Sequence, residues 1–561
     1  MDQNMLIGGA AGQGIETLAA MFERCVKRNG YHVFVHKDYM SRVRGGHNFV
    51  QIRFSDQPLA SHRRELDFIV AMDETTITEH LPRLSKEGVL VCDEELEHDD
   101  SRVLTFPVEQ EAKDAGNPKA FTTVLLGLLI SWYGLSIDPA EELVEQYFRD
   151  KSPEINQKAF KKGTALSETR ESLPDANDED RLLINGNEAI ALGAIAAGVT
   201  FYSAYPMTPS TSIMNNLADK QLEAGIVVEQ AEDEIAAINM AIGANYAGIR
   251  AMTGTSGGGF SLMTEALGLS GITETPLVVV NSQRPGPATG FPTRTEQSDL
   301  SFILTASHGE ITRMVTALRN PEDAFYQTAR AFNLSEKYQI PVILLTDQYL
   351  ADYTLTIPPF DVSKVTIERH LADGSSYTDE EPYKRYAFTD NGISPRLIPG
   401  KWENQIVLAD SDEHDESGHI TESAEMRTKM MQKRMGKFEL LRSDIQEPWQ
   451  LGEAHPDILI LAWGSTAGPL KEALELIQAE DGSASVGALI FGDLWPLPVE
   501  KLTSLAEKAE KIINIEQNYT GQLARLIRQE TGVVCTHSYL KYDGRQMMPE
   551  DIVEALKKEV L

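Results

Sequence analysis

Residues 225–260 read GIVVEQAEDEIAAINMAIGANYAGIRAMTGTSGGGF. A short β-branched run, GIVVEQ, ends in the acids Glu229, Glu232, Asp233 and Glu234. A helix rich in alanine and glycine follows, then a second strand, RAMTGTS, and three consecutive glycines. Strand, helix, strand and glycine turn in this order are the repeating unit of an α/β sheet wound with helices on both faces. Small residues on several faces of the helix predict close packing, so a carboxylate at its start can be shielded from water. Acids at a helix N-terminus are also favoured by the helix dipole, and capping accounts for them equally well. A bare turn needs one glycine; three in a row are costly in conformational entropy and point to close backbone approach by a ligand.

The pattern extends outward on both sides. Upstream, LLINGNEAIALGAIAAGVTFYSAYP supplies a helix and a strand that runs into AYPMTPST, residues 204–211. Pro206 and Pro209 bias Tyr205 and Thr208 toward extended backbone. Ser210 or Thr211 can cap the following helix, which leaves Thr208 as a fixed hydroxyl at a strand end, where such sheets bind ligands. Downstream, PLVVV leads into NSQRPGPATGFPTRTEQSD, residues 281–299. Arg284 and Arg294 in this stiff loop suit recognition of a carboxylate, and an exposed salt-bridged loop is the alternative. Four loops at strand ends of one sheet should converge on one rim.

The chain has 561 residues, enough for about three to four domains. The expected class is α/β, with three doubly wound, Rossmann-like units. The first spans residues 1–172: the apolar strand MLIGG enters the glycine-rich turn GGAAGQG, Gly8 to Gly14, before a helix closed by Gly30. That turn either cradles an anion or packs tightly, and its spacing is not the dinucleotide G-x-G-x-x-G. SRVRGGHN could add Arg42 and Arg44 to a second anion-friendly loop or be a solvated basic turn. An acidic, aperiodic linker, LPDANDEDR, separates it from the second unit, 182–357. Residues 358–450 form a connecting segment whose DSDEHDESGHITE stretch reads as an exposed loop, not a metal site at His414 and His419, and whose MRTKMMQKRMGKFELLRSDI reads as an amphipathic helix. The third unit, 451–561, carries DILILAWG, VGALIFGD and KIINIEQN.

The net charge of −33 argues against nucleic acid and anionic membrane surfaces as partners. Cys25, Cys92 and Cys535 form no C-x-x-C pair, which disfavours an iron–sulfur cluster held by this chain and suits a cytoplasmic location. No signal peptide or membrane span is read.

AYPMTPST, EQAEDEIAAINMAIGANYAGIRAMTGTSGGGFSLM and PTRTEQSDL together resemble the alpha subunit of 2-oxoacid:ferredoxin oxidoreductases. MLIGGAAGQGIETLA and SRVRGGHN resemble the gamma domain of the same family, and NIEQNYTGQLARLIRQETG with KYDGR resembles its transketolase C-terminal-like domain. The order, gamma then alpha in one chain, looks like the two-subunit members, including 2-oxoglutarate:ferredoxin oxidoreductase. The one departure noted is Met207, where many relatives read isoleucine.

The resemblance implies thiamine diphosphate shared with a beta subunit, Mg²⁺ and an iron–sulfur cluster on that subunit, coenzyme A as acyl acceptor, and ferredoxin as electron acceptor. The implied assembly is αβ or (αβ)₂, inactive without the beta chain. It makes residues 182–357 the pyrimidine-type cofactor domain. A carboxylate beside the aminopyrimidine helps the cofactor's C2 lose its proton. Glu234 takes that role here, with Glu232 as the alternative. Tyr205, Pro206, Thr255, Ser256 and Gly257 are expected at the cofactor, with Thr208 near cofactor and substrate. Arg284 is expected at the substrate carboxylate, and Thr293 and Arg294 shape the pocket. Gly9, Gly12, Gly14, Arg42 and Arg44 are expected to help receive coenzyme A. The fused arrangement favours 2-oxoglutarate, with a pyruvate-type or broad-specificity enzyme as the alternative. A non-oxidative thiamine enzyme would need a diphosphate and Mg²⁺ motif that is not found in the sequence. A regulatory scaffold would leave Thr208, Glu234 and Arg284 without a joint role.

Overall fold

The structure is a computed structural model. It describes every residue except 41–45, 97, 172, 175, 177–179, 379–380, 404, 480–484 and 560–561. Arg42 and Arg44 therefore lie outside the described residues. The chain divides into two compact units.

The first unit holds residues 1–185 with 352–359 and 548–552. Its eight-stranded sheet is mixed. Asp2–Ala10 pairs in parallel with Leu66–Ala71, and that strand continues in parallel through Leu84–Asp93 to Val103–Phe106. On the other side Asp2–Ala10 pairs antiparallel with His47–Ser55, followed by His32–Asp38, Thr354–Ile357 and Leu182–Asn185. The strands at the two ends of the expected second unit, Leu182–Asn185 and Thr354–Ile357, thus close the first sheet. Helices Ile15–Arg28, Phe121–Trp132 and Pro153–Thr164 cover one face over a core of Met5, Ile7, Phe22, Phe54, Val70 and Leu129. Phe121–Trp132 is apolar nearly all round, as a helix enclosed on every side must be.

The second unit holds residues 186–351, 360–547 and 553–561. Its seven-stranded sheet runs, edge to edge, Asp493–Trp495, Met314–Ala317, Pro341–Asp347, Leu277–Gln283, Ala251–Thr255, Phe201–Ala204 and Val227–Gln230. All neighbours are parallel except Asp493–Trp495, which pairs antiparallel with Met314–Ala317. Every residue of the central Leu277–Gln283 is buried, as expected of a parallel strand covered on both faces. The edge strand Val227–Gln230 is mostly exposed. Chain order reverses between Phe201–Ala204 and Ala251–Thr255, which makes the crevice beyond their C-terminal ends the topological switch point. A five-stranded sheet built on Ile458–Trp463, Val486–Phe491 and Lys511–Glu516 shares an apolar core with the seven-stranded sheet through Val279, Ile343, Leu461, Trp463 and Leu489.

Two expectations for residues 358–450 need correction. The helix Ala424–Leu441 forms, but its buried face is basic: Lys433, Arg434 and Lys437 are enclosed. Lys433 donates to the buried Glu274 at 2.6 Å, and Lys437 binds its other oxygen. Burial opposes the Glu274 charge, and Lys437, Lys433 and Arg385 outweigh it, holding the carboxyl well below its usual range. The stretch read as an exposed loop is anchored too. His414 is fully buried against Tyr386, with ring centroids 4.0 Å apart, and Glu413 accepts two hydrogen bonds from Arg434. The buried cations of the helix require these carboxylates.

Candidate functional site

The switch-point crevice is built by three loops. In the first, Phe201–Ala204 ends in Tyr205–Ser210, where Tyr205 is exposed and Pro206, Met207 and Thr208 are half-buried. The Ser210 amide donates to the Met207 carbonyl at 2.9 Å, closing a tight turn. The expected side-chain cap is not made: the Ser210 hydroxyl donates to the Met207 carbonyl at 2.8 Å, so its side chain serves the turn and not the helix Thr211–Asp219. Buried Asn187 secures the loop from behind, donating to the Pro209 carbonyl at 2.8 Å and to the Ser212 hydroxyl at 2.7 Å.

The second loop joins Val227–Gln230 to the helix Glu234–Tyr246. Asp233 caps this helix, accepting from the Ala236 amide at 2.7 Å. Glu229 and Glu232 are exposed, whereas Glu234 is 3% exposed. Its Oε1 has no hydrogen-bond partner. A partnerless buried carboxylate oxygen is costly and needs an explanation.

The third loop, after Ala251–Thr255, is the triple glycine at the start of the helix Gly257–Ile272. The three glycines differ in what surrounds them. A Cβ at Gly259 would meet the Thr255 hydroxyl first and stand 2.5 Å from Glu234 Oε1, and one at Gly257 would stand 2.6 Å from Asp299 Oδ2. A Cβ at Gly258 would meet nothing within 4 Å. Two of the three glycines therefore make room for side chains of this chain, Asp299 at Gly257 and Thr255 with Glu234 at Gly259, and Gly258 alone of the three opens outward. The hydroxyl of Ser256, just before them, is buried without a partner. Thr255 Oγ1 lies 3.9 Å from the Met207 sulfur, which ties this turn to the first loop.

Arg284 joins the network from the end of Leu277–Gln283, donating from Nη1 to the Thr208 carbonyl at 2.6 Å. Asp299 accepts from Asn281 Nδ2 at 2.9 Å, and its amide donates to Gln283 Oε1 at 3.0 Å. Burial raises the Asp299 carboxyl, and Asn281 and Arg284 partly offset it. Burial and the nearby Asp299 raise Glu296 to about 7. Thr293 is buried and Arg294 half-buried. Arg294 faces the C-terminal segment: a Cβ at Gly544 would stand 3.2 Å from Arg294 Cβ, and the Thr295 amide donates to the Gly544 carbonyl at 3.3 Å. Gln297 fixes the same loop to the five-stranded sheet, donating to the Trp463 carbonyl at 2.9 Å, while its own carbonyl accepts from Asn518 at 3.1 Å.

The structure thus brings together Thr208, Glu234, Thr255, Ser256, Gly257 and Arg284. Pro206 lies in the same loop as Thr208, Glu232 points to solvent, and Thr293 and Arg294 sit further along the Arg284 loop. Asn187, Asp299 and Gln297 were not singled out by the sequence. Asn187 alone left a local signal, a polar residue in an alanine-rich apolar helix.

In the first unit Gly12 and Gly14 take φ of +95° and +80°. They line a cleft of about 410 Å³ with Thr17, Lys37, Tyr39 and Asn48. Gly9 is turned away, its Cβ position crowded by Gln13 and Met72.

Three family models match. They are "Pyruvate flavodoxin/ferredoxin oxidoreductase, thiamine diP-bdg" at residues 192–433, "Pyruvate ferredoxin/flavodoxin oxidoreductase" at 4–166, and "Pyruvate:ferredoxin oxidoreductase core domain II" at 456–552. The alpha subunit of a Sulfolobus 2-oxoacid:ferredoxin oxidoreductase is 34% identical, over 100% of this chain and 97% of its own length. The 2-oxoglutarate synthase subunit KorA of Archaeoglobus fulgidus is 33% identical, over 67% of this chain and 99% of its own. Among solved structures, the 2-oxoglutarate:ferredoxin oxidoreductase of Magnetococcus marinus, with 2-oxoglutarate, coenzyme A and succinyl-CoA bound, superposes with a TM-score of 0.92 at 33% identity, covering 100% of both chains. The chain belongs to the family of 2-oxoacid:ferredoxin oxidoreductase alpha subunits. Among the described residues, no helix is long and apolar enough to cross a membrane.

Proposed function

We propose that the switch-point crevice binds thiamine diphosphate, and that the chain, with a beta subunit, oxidatively decarboxylates 2-oxoglutarate to an acyl-coenzyme A and CO₂, passing electrons to ferredoxin. The carrying observation is the buried, partnerless Oε1 of Glu234 against Gly259, one residue along the turn from Gly258, whose Cβ position is open. A carboxyl oxygen with a free hydrogen-bonding position, next to a backbone without a side chain, fits a flat aminopyrimidine ring. Glu234, not exposed Glu232, is the residue to hold that ring and its proton. Tyr205, Pro206, Thr255, Ser256 and Gly257 bound the ring's surroundings. When bound, the cofactor supplies a carbon nucleophile for the 2-oxo carbon and accepts the electron pair released with CO₂. Arg284 binds the substrate carboxylate. Its anchoring on the Thr208 carbonyl fixes the guanidinium in advance, which lowers the cost of ordering it. Thr208, Thr293 and Arg294 complete the substrate wall. The cleft at Gly12 and Gly14 receives coenzyme A.

Domain roles follow the divisions 1–172, 182–357, 358–450 and 451–561, as coenzyme A unit, pyrimidine unit, connector and C-terminal unit. The partner is supported by surface apolar residues on the two helices of the site. Ile235, Met240 and Leu262 are 41–50% exposed, and Gly243 has nothing within 4 Å of its Cβ position. A small-residue helix left uncovered suits a closely packed second chain, the beta subunit, which carries the Mg²⁺ and iron–sulfur cluster. The resemblance to KorA and to the Magnetococcus enzyme supports 2-oxoglutarate.

The test is reconstitution with the cysteine-rich beta subunit and assay with 2-oxoglutarate and pyruvate against a low-potential acceptor. Turnover should favour 2-oxoglutarate, and Arg284→Ala should lower kcat/KM about 10²-fold, the scale of a charged hydrogen bond of about 1.5–3 kcal/mol. Failure to associate with such a subunit, or unchanged 2-oxoacid affinity in Arg284→Ala, would refute the assignment.

A further inference from the structure

The first unit contains a histidine pair that the crevice chemistry does not use. His47 begins the strand His47–Ser55 and His80 ends the helix Glu74–His80. Their Nε2 atoms face each other at 2.7 Å, and both residues are more than nine-tenths buried. Glu79 Oε2 lies 3.9 Å from His47 Nε2. One oxygen and two nitrogens, all within 4.8 Å of one another, converge on a common point. The remaining ring nitrogen of His47, Nδ1, is buried with no partner. Phe49 walls the pair, its ring centroid 4.8 Å from that of His80 and 5.9 Å from that of His47. Glu79 reaches solvent and provides the way in.

We propose that His47, Glu79 and His80 bind a divalent transition metal of the zinc class. Two neutral imidazoles and one carboxylate are a ligand set such ions take, with a fourth position left for water. Bond lengths of about 2.0–2.1 Å put two tetrahedral nitrogen ligands about 3.3 Å apart. The two rings need therefore separate by only about 0.6 Å, a shift of that tetrahedral spacing. Among the described residues Arg83 opposes the site: its Nη1, a donor only, lies 3.3 Å from His80 Nδ1 and must release that nitrogen for His80 to carry its proton there and ligate through Nε2. Its Nη2 and Nε keep their own partners, Gln51 Oε1 at 2.9 Å and the Arg64 carbonyl at 3.1 Å, so the guanidinium stays anchored without the His80 contact. The Glu79 carboxylate, on the metal side, offsets it. Bound metal would clamp the start of one strand to the end of one helix. The clamp lies under the glycine-rich strand end, where a Cβ at Gly8 would stand 3.2 Å from His47 Cε1.

The experiment is titration of the chelator-treated full-length chain. Co(II) is followed by its visible absorption, and Zn(II) by competition with a chromophoric chelator. One equivalent per chain should bind with nitrogen and oxygen ligand-field bands, and Zn(II) should displace Co(II). Binding should vanish in His80→Gln and weaken about tenfold or more in Glu79→Gln. The Glu79 side chain is 55% exposed, so its variant decides the matter should His80→Gln misfold. No uptake by the wild-type chain, or uptake that the variants leave unchanged, overturns the proposal.

Discussion

At Gly12 and Gly14 the backbone takes φ of +95° and +80°, a conformation that side-chain-bearing residues rarely adopt. Gly257, Gly258 and Gly259 instead lie in the first turn of a regular helix, where any residue could hold the backbone. There the requirement is space: for Asp299 at Gly257, for Thr255 and Glu234 at Gly259, and for nothing of this chain at Gly258. The same residue type thus answers a conformational need in one unit and a steric need in the other. Of these five glycines Gly258 and Gly12 have open Cβ positions, and only at Gly258 is the open space not also explained by a left-handed backbone.

Substitutions separate these cases. Gly259→Ala should do most damage, because its methyl would have to displace both the Thr255 hydroxyl and the Glu234 carboxyl. Overpacking of about 1–3 kcal/mol should lower the melting temperature, and turnover of the reconstituted complex should fall about 10²-fold. Gly258→Ala should behave oppositely on stability. Alanine is the better helix former by up to about 1 kcal/mol, so melting should hold or rise. Thiamine diphosphate affinity, measured by calorimetry on the complex, should weaken about 10- to 100-fold. Gly12→Ala meets no neighbour and should cost only backbone strain, about 1 kcal/mol or a melting shift of about 2–4 °C. A fall in thiamine diphosphate affinity in Gly12→Ala, or none in Gly258→Ala, would break the distinction.

The smallest effect concerns pH. With Glu296 raised to about 7, the folded chain favours its neutral carboxyl. Stability from this group is present below the ordinary glutamate value near 4.5 and lost as pH rises to about 7. Glu296→Gln should therefore melt like the wild type at pH 4.5 and about 1–2 °C higher at pH 8, a small shift because the group is only half-buried. A stabilisation that grows toward low pH would contradict the sign.

The parts legible in the sequence were those with local signals. Strand ends announced themselves through Pro206, Pro209, the triple glycine and the Arg284 loop, because turn chemistry is written in neighbouring residues. Glu232 and Glu234 could not be separated that way: a shift of two residues moves a side chain from solvent to core. The hydrogen bonds that fix the crevice join distant positions. Gln297 meets Trp463 166 residues away, and Asn518 meets Gln297 across 221. Residues of this kind read as ordinary polar loop residues until the fold brings them together. The basic face of Ala424–Leu441 misled for the same reason, since Glu274 and Glu413 are what allow its lysines and arginine to be buried.

The central claim is that Glu234, whose buried Oε1 has no partner within the chain, is the group that acts on the cofactor. Its most direct test compares Glu234→Gln with Glu232→Gln in the reconstituted complex, measuring kcat and KM for 2-oxoglutarate. Glu234→Gln should lose about 10²- to 10⁴-fold in kcat with KM little changed, the range for a positioned proton-transfer group, and Glu232→Gln should turn over like the wild type. Full turnover in Glu234→Gln, or loss confined to Glu232→Gln, would contradict it.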